Sequence, residues 1–204
     1  MKAEIQRINE YNDPRFSPAV LRQHGAFLVN GVPCEVEVTG LDCAVVRGEA
    51  QAFYPQLIED FRFYAEHISR FYDAKGNLLA GFSPVERFPV KLLDIQPSQF
   101  YVDEDKLAAV RSFITEPEDV VIPVMVQDGR YISLDGHTRL AAALDAGFHQ
   151  VFAFLTKGGD YILAFAGEAR KRGVYDPSGL KRVSHEEYQT VWNQFCEDFL
   201  KQLL

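Results

Sequence analysis

The sequence lacks the long apolar runs of a membrane protein and the cysteine patterns of a disulfide-rich or zinc-binding one. No stretch approaches the roughly 18 apolar residues that a membrane helix needs, and the N-terminus has no apolar segment typical of a signal peptide. The three cysteines, Cys34, Cys43 and Cys196, form no C-x-x-C pair and no zinc-ligand spacing. This favours buried free thiols in a reducing compartment, so we expect a cytoplasmic protein.

Positive charge is also scarce, because 21 Lys and Arg residues stand against 29 Asp and Glu residues, for a net charge of −8. Proteins that bind duplex nucleic acid neutralise its phosphates mainly with Lys and Arg, and anionic membranes repel an acidic protein. Nucleic acid is therefore an unfavoured partner, although a small positive patch is compatible with this composition. The 204 residues suffice for one large hydrophobic core or two small ones.

Residues 1–86 are predicted to form an α/β region. Asn30 and Gly31 are typical of a hairpin turn between strands at 27–29 and 34–38, and a further strand follows at 44–46. The apolar spacing predicts a helix over 54–72, with a stripe typical of a core or a subunit interface. That stripe consists of Leu57, Phe61, Tyr64, Ile68 and Phe71. The proline-punctuated segment 82–89 indicates a domain boundary.

Residues 87–156 are predicted to form a compact mixed α/β core, and 157–204 a helical tail packed on it. The fold class that we expect is α+β. Predicted strands lie at 90–95, 121–126, 131–134 and 151–155, and predicted helices at 103–114 and 137–146. In the tail, the pattern predicts a helix over 162–171, and Ser184 begins a capping box that opens a final helix.

The segment that carries chemistry is Asp135, Gly136, His137, Thr138 and Arg139, between a predicted strand and an alanine-rich helix. The unpaired N–H groups of a helix N-terminus attract anions, and a glycine lets a ligand approach the backbone. His137 and Arg139 add hydrogen-bond donors for phosphate oxygens. Asp135 could hold a divalent cation or orient His137. A structural alternative is a tight turn in which Asp135 or Thr138 caps the helix and Arg139 pairs with an acid.

The segment 88–155 resembles the ParB/sulfiredoxin superfamily, whose domain is also called the ParB-like nuclease domain. The resemblance rests on residues 93–98, 103–110, 122–126 and 129–139. Sulfiredoxins carry a catalytic cysteine at the position of His137, whereas this chain has no cysteine between Cys43 and Cys196, which argues against their chemistry. Chromosome-partitioning ParB proteins bind CTP through a Gly-Glu-Arg-Arg box and contain a helix-turn-helix, and this chain lacks the second arginine and the helix-turn-helix. Free-serine kinases have an Asp-Gly-His-His-Arg box, from which this chain departs only at Thr138.

The resemblance to the kinase branch implies a nucleotide-phosphate site at Gly136, His137, Thr138 and Arg139, with ATP, ADP or CTP and Mg²⁺ as cofactors. It implies catalytic roles for Glu104, Asp135 and His137, with Asp135 acting through Mg²⁺. In that family an acidic residue at the start of the preceding helix acts as a base. Asp103, Glu104 and Asp105 occupy this region. We favour Glu104 as the base, and Asp103 and Asp105 are further candidates for the base or for metal binding. Alternatively, these acids only complement the helix dipole.

Two other functions stay open at this point. The chain could be a non-catalytic regulatory or assembly module, whose N-terminal region forms a homodimer surface. It could also be a ParB-like DNA-binding protein or nuclease. The remaining histidines are scattered without a partner motif, and we assign them no metal site: His24, His67, His149 and His185.

Overall fold

The structure is a computed structural model that describes residues 2–203 and divides the chain into two compact units, Met1–Val85 and Glu86–Leu204. Each unit has its own sheet and its own hydrophobic core. The predicted α+β class is confirmed, as is the helical C-terminal segment. None of the helices in residues 2–203 is long and apolar enough to cross a bilayer.

The first unit is built on a six-stranded sheet in the order β1-β2-β3-β4-β5-β6. Neighbouring strands are antiparallel except β4 and β5, which are parallel and are connected through helix α2. The predicted hairpin turn at Asn30 and Gly31 is confirmed, because Val29 pairs with Val32. The strands are Ile5–Arg7 (β1), Ala26–Val29 (β2), Val32–Val38 (β3), Cys43–Gly48 (β4), Arg70–Asp73 (β5) and Leu78–Gly81 (β6), and the helices are Pro18–Arg22 (α1) and Tyr54–Arg62 (α2).

The predicted helix over 54–72 is wrong in its second half, because α2 ends at Arg62 and β5 begins at Arg70. The four- and three-residue spacing of apolar residues continues past the end of α2, because α2 and the segment leading into β5 both contribute side chains to the same core. Ile68 and Phe71 are completely buried there, beside Leu57 and Phe61 of α2. Tyr64 is 46% exposed. Four of the five residues of the stripe are therefore core, as predicted, but they do not form one face of one helix.

The second unit has a five-stranded sheet in the order β7-β12-β10-β11-β8 and a separate parallel pair, β9 with β13. Helices α3 and α4 pack on one face of the five-stranded sheet, and α5 packs on the other. The strands are Arg87–Lys91 (β7), Ile95–Pro97 (β8), Tyr101–Asp103 (β9), Val121–Gln127 (β10), Arg130–Ser133 (β11), Gln150–Leu155 (β12) and Lys181–Val183 (β13). The helices are Glu104–Arg111 (α3), His137–Asp145 (α4), Asp160–Lys171 (α5), His185–Tyr188 (α6) and Phe195–Leu203 (α7), with a π-helical segment at Gln189–Gln194.

Two predicted elements of this unit change. The strand predicted over 90–95 is split by a 3-10 turn at Leu92–Asp94, so that β7 and β8 lie on opposite edges of the sheet. The turn buries Leu92 in the core. This burial depends on packing against distant residues, so the local apolar pattern could not predict it. The final helix is interrupted by the π-helical segment, which shifts the register between α6 and α7. Ser184 caps its start, because the side chain accepts a hydrogen bond from the Glu187 N–H.

Candidate functional site

The predicted phosphate site lies where β11 ends and α4 begins. Gly136 is the N-cap residue of α4 and has φ +81°. A Cβ at this position would lie 2.6 Å from Ile122 Cδ1 and 3.1 Å from Arg139 Nη2, so any other residue would have to displace these side chains as well as adopt a strained φ. Since glycine has no side chain with which to cap the helix, the first-turn N–H groups of α4 need another acceptor, such as water or an anion.

Arg139 is turned back toward the sheet. Its Nη1 donates a 2.6 Å hydrogen bond to the Val121 carbonyl oxygen at the start of β10, and Nη2 lies 3.7 Å from Asp135 Oδ2. Burial lowers the pKa of Arg139 from its ordinary value, and the charge of Asp135 opposes this effect. The Asp135 side chain is 59% exposed. The guanidinium of Arg139 therefore stabilises the turn before α4 through its contacts with Val121 and Asp135. The carboxylate of Asp135 is the charged group of this turn that faces solvent.

His137 is buried beneath the turn, with 5% of its surface exposed. The backbone N–H of Ser98 donates to His137 Nε2 at 3.2 Å, so this nitrogen is an acceptor. The hydroxyls of Ser98 and Ser133 lie 3.2 Å and 3.1 Å from the same nitrogen. Burial lowers the pKa of His137 to about 4, an effect that Asp135 opposes and Arg139 reinforces. The ring is therefore neutral at pH 7, and it links the residue that follows β8 to β11 and α4.

The three acids at the start of α3 have different environments. Asp103 is completely buried and is the N-cap of α3, where Oδ1 accepts hydrogen bonds from the N–H groups of Asp105 at 2.9 Å and Lys106 at 3.4 Å. Glu104 and Asp105 are exposed in the first turn. Since Asp103 is buried and both of its carboxylate oxygens have partners, Glu104 and Asp105 are the exposed acids that can accept a proton from a substrate hydroxyl.

The structure adds a residue that the sequence reasoning missed. His185 Nδ1 lies 2.7 Å from Asp103 Oδ2, and ligand atoms of Asp103, Asp105 and His185 all lie within 4.8 Å of one another. The parallel pairing of β9 with β13, in which Val183 is opposite Asp103, brings these residues together. No sequence spacing could reveal this cluster, since His185 is 82 positions from Asp103.

Tyr188 packs beside the start of α3, where Lys106 Nζ lies 4.8 Å from the centroid of its ring. It is buried, and its hydroxyl accepts a 3.1 Å hydrogen bond from Gln99 Nε2. Burial raises the pKa of Tyr188, and the charges of Asp103 and Asp135 raise it further. Neither Gln99 nor Tyr188 carries a motif that could have identified it from the sequence.

Two cavities in this unit lie at the other end of α4, a helix about 13 Å long. The larger, of about 380 Å³, is lined by Lys91, Leu92, Leu93, Leu144, Phe148, His149 and Gln150. The smaller, of about 300 Å³, is lined by Arg111, Ile114, Ala142, Asp145 and Ala146. Neither includes Gly136 or its neighbours, so the predicted phosphate site is distinct from both cavities.

No protein-family model matches the chain, and no curated protein matches it. Among solved structures, sulfiredoxin from Arabidopsis thaliana is similar over 40% of this chain and 96% of its own length, with 19% identity and a TM-score of 0.31. Protein Atu1540 from Agrobacterium tumefaciens is similar over 48% of this chain and 56% of its own length, with 18% identity and a TM-score of 0.29. At these TM-scores the likeness is too distant to assign an activity.

Proposed function

We propose that the second unit binds the phosphates of ATP, ADP or CTP at the N-terminus of α4, together with Mg²⁺, and transfers a phosphoryl group to a small hydroxyl compound such as serine. The observation that carries the proposal is Gly136, an N-cap residue with positive φ and no side chain, which leaves the first turn of α4 open to an anion. The four matching residues of the Asp-Gly-His-Thr-Arg box support the same assignment.

The residues of the box have separate roles in this proposal. The first-turn N–H groups and the Thr138 hydroxyl donate to phosphate oxygens, and Arg139 supplies positive charge while it holds the turn. The exposed Asp135 carboxylate is an oxygen ligand of the kind that Mg²⁺ prefers. His137 acts through its neighbours, because its neutral ring fixes the turn that presents these donors.

Glu104 is the base in the transfer step. Its exposed carboxylate takes the proton of the substrate hydroxyl, whose oxygen then forms a bond to the terminal phosphorus. The bond from that phosphorus to the leaving phosphate oxygen breaks at the same time. The N–H groups of α4 stabilise the charge that develops on the transferring group.

Calorimetry with ATP, ADP and CTP in the presence of Mg²⁺ tests the binding step. Asp135→Asn and Thr138→Ala should each weaken binding about tenfold, since a charge-assisted contact is worth about 1.5 kcal/mol. Asp128→Asn is the matched control, because Asp128 is exposed at the other end of the same hairpin and Asn tolerates its φ of 52°. Absence of binding by all three nucleotides would overturn the proposal.

Phosphorus NMR of the chain with ATP, Mg²⁺ and serine or related alcohols tests the transfer step. Glu104→Gln should remove transfer and keep nucleotide binding, whereas Glu197→Gln, an exposed residue of α7, should keep both. Binding without transfer refutes the kinase step and leaves a nucleotide-binding regulatory module. A salt-dependent gel shift with DNA would instead favour the nuclease branch. The homodimer stays a prediction that sedimentation can test.

A further inference from the structure

We propose that Asp103, Asp105 and His185 form a binding site for a divalent transition-metal cation, such as Zn²⁺ or Mn²⁺. This site is separate from the Asp135–Arg139 box, and binding of the metal alone does not depend on whether a nucleotide binds there. Its ligands are Oδ2 of Asp103, a carboxylate oxygen of Asp105 and Nδ1 of His185.

The geometry of the three ligand atoms is close to that of a metal site. Metal–ligand bonds of about 2.0–2.2 Å place neighbouring ligand atoms roughly 3 Å apart. Nδ1 of His185 and Oδ2 of Asp103 are 2.7 Å apart, and all three ligand atoms lie within 4.8 Å. Asp105 and His185 are exposed and can rotate to close the remaining gap, whereas the capping hydrogen bonds hold Asp103 fixed.

The backbone positions these ligands before any ion binds. Val183 is opposite Asp103 in the parallel pair of β9 and β13, so Asp105 and His185 each follow that position by two residues. Both strands run directly into helices, α3 and α6, which begin side by side. The cluster is therefore held by main-chain pairing, unlike a chance meeting of long side chains on a surface.

The local charge favours a cation. A helix N-terminus contributes at most about half a positive charge, so α3 and the four-residue α6 together supply no more than about one. Against this stand five carboxylates in or next to the first turns: Asp103, Glu104, Asp105, Glu186 and Glu187. Lys106, whose Nζ lies over the Tyr188 ring, offsets one of them. The carboxylates outnumber the positive contributions, which leaves a negative potential at the cluster.

The ligand set selects the type of cation. An imidazole with two carboxylates suits Zn²⁺, Mn²⁺ or Co²⁺, whereas Mg²⁺ prefers oxygen ligands alone. Three protein ligands leave at least one coordination position for water or a small molecule. Nε2 of His185 contacts the Gln189 side-chain amide at 3.1 Å, and rotation of that amide by a half-turn lets its oxygen accept the Nε2 proton when Nδ1 binds the metal.

Titration of the full chain with Co²⁺ at neutral pH, followed by visible absorption, tests the site. We expect one equivalent to bind with ligand-field bands, and Zn²⁺ to displace it. His185→Gln and Asp105→Asn should each weaken binding by at least about tenfold. Asp105→Asn is the variant that keeps the fold, because its side chain is exposed and does not cap α3.

Two controls separate this site from other metal ligands. His149→Gln removes an exposed imidazole elsewhere and should bind Co²⁺ like the wild-type chain. Glu186→Gln removes an adjacent acid of α6 that is not a ligand, so it should weaken binding less than Asp105→Asn does. Absence of binding, or binding that survives both His185→Gln and Asp105→Asn, would overturn the proposal. A sulfur-to-cobalt charge-transfer band would do the same, because it identifies a cysteine ligand.

Discussion

His137 shows how one residue can satisfy a motif and still differ from its expected role. The box predicts a donor to phosphate, yet Nε2 accepts the Ser98 N–H and lies next to two buried hydroxyls. A ring with this arrangement stays neutral and fixes the neighbouring backbone. The donors of the proposed site are then the N–H groups that His137 holds in place, which makes it a positioning residue.

The pH dependence of stability measures the burial of His137. Burial lowers its pKa from 6.5 to about 4, so below pH 6.5 the unfolded chain takes up a proton that the folded chain excludes. The stabilisation is complete above pH 6.5 and is lost as the pH falls toward 4, an effect of about 3 kcal/mol. Urea unfolding of the wild-type chain between pH 6.5 and 4 should show this decrease in the free energy of unfolding.

The matching variants are His137→Asn, which removes the titrating ring, and His149→Gln, whose side chain is exposed. The first should show a smaller decline of unfolding free energy between pH 6.5 and 4, because unfolding no longer exposes this buried imidazole to protonation. The second should follow the wild type. Equal declines in all three proteins would show that His137 does not titrate as its burial requires.

At the scale of elements, the start and end of α4 offer a matched pair of glycines. Gly136 precedes the helix with φ +81° and Gly147 follows it with φ +76°. A Cβ at Gly136 meets Ile122 at 2.6 Å, whereas a Cβ at Gly147 meets nothing within 4 Å. Gly147→Ala should therefore cost about 1 kcal/mol for the positive φ alone. Gly136→Ala should cost about 1–3 kcal/mol more, because the neighbouring core must shift.

Chemical unfolding of the two variants beside the wild type provides the measurement. If both lose the same stability, the contact between Gly136 and Ile122 does not constrain the turn.

The elements that the sequence predicts correctly are those that depend on a few adjacent residues. The hairpin at Asn30 and Gly31 and the start of α4 depend on a few adjacent residues, and the structure agrees with both. The end of α2 and the turn at Leu92–Asp94 depend on packing against distant residues, and both were predicted wrongly. The same limit holds at the site. The box is contiguous and visible, whereas the contact between Asp103 and His185 depends on strand pairing far along the chain.

At the scale of the whole molecule, the chain consists of two units with separate cores. The six-stranded sheet and the core around Phe71 draw only on residues of the first unit. A fragment of residues 1–85 should therefore fold alone, with a cooperative thermal transition and dispersed amide NMR signals. A fragment of residues 1–63 lacks β5, β6 and Phe71 and should show neither property. A non-cooperative transition for 1–85 would contradict the division into two units.

The parallel pair of β9 and β13 affects the order in which the protein folds during its synthesis on the ribosome. Lys181 is opposite Tyr101, so the pair closes a loop of 80 positions with only three residues in each strand. Such distant pairing is entropically costly and forms late. During synthesis, the five-stranded sheet can assemble once β12 has emerged. At that stage His185, which contacts Asp103 in the complete chain, has not yet been synthesised. We expect a nascent chain stalled before β13 to hold the proposed phosphate turn but to lack the ability to retain a metal ion.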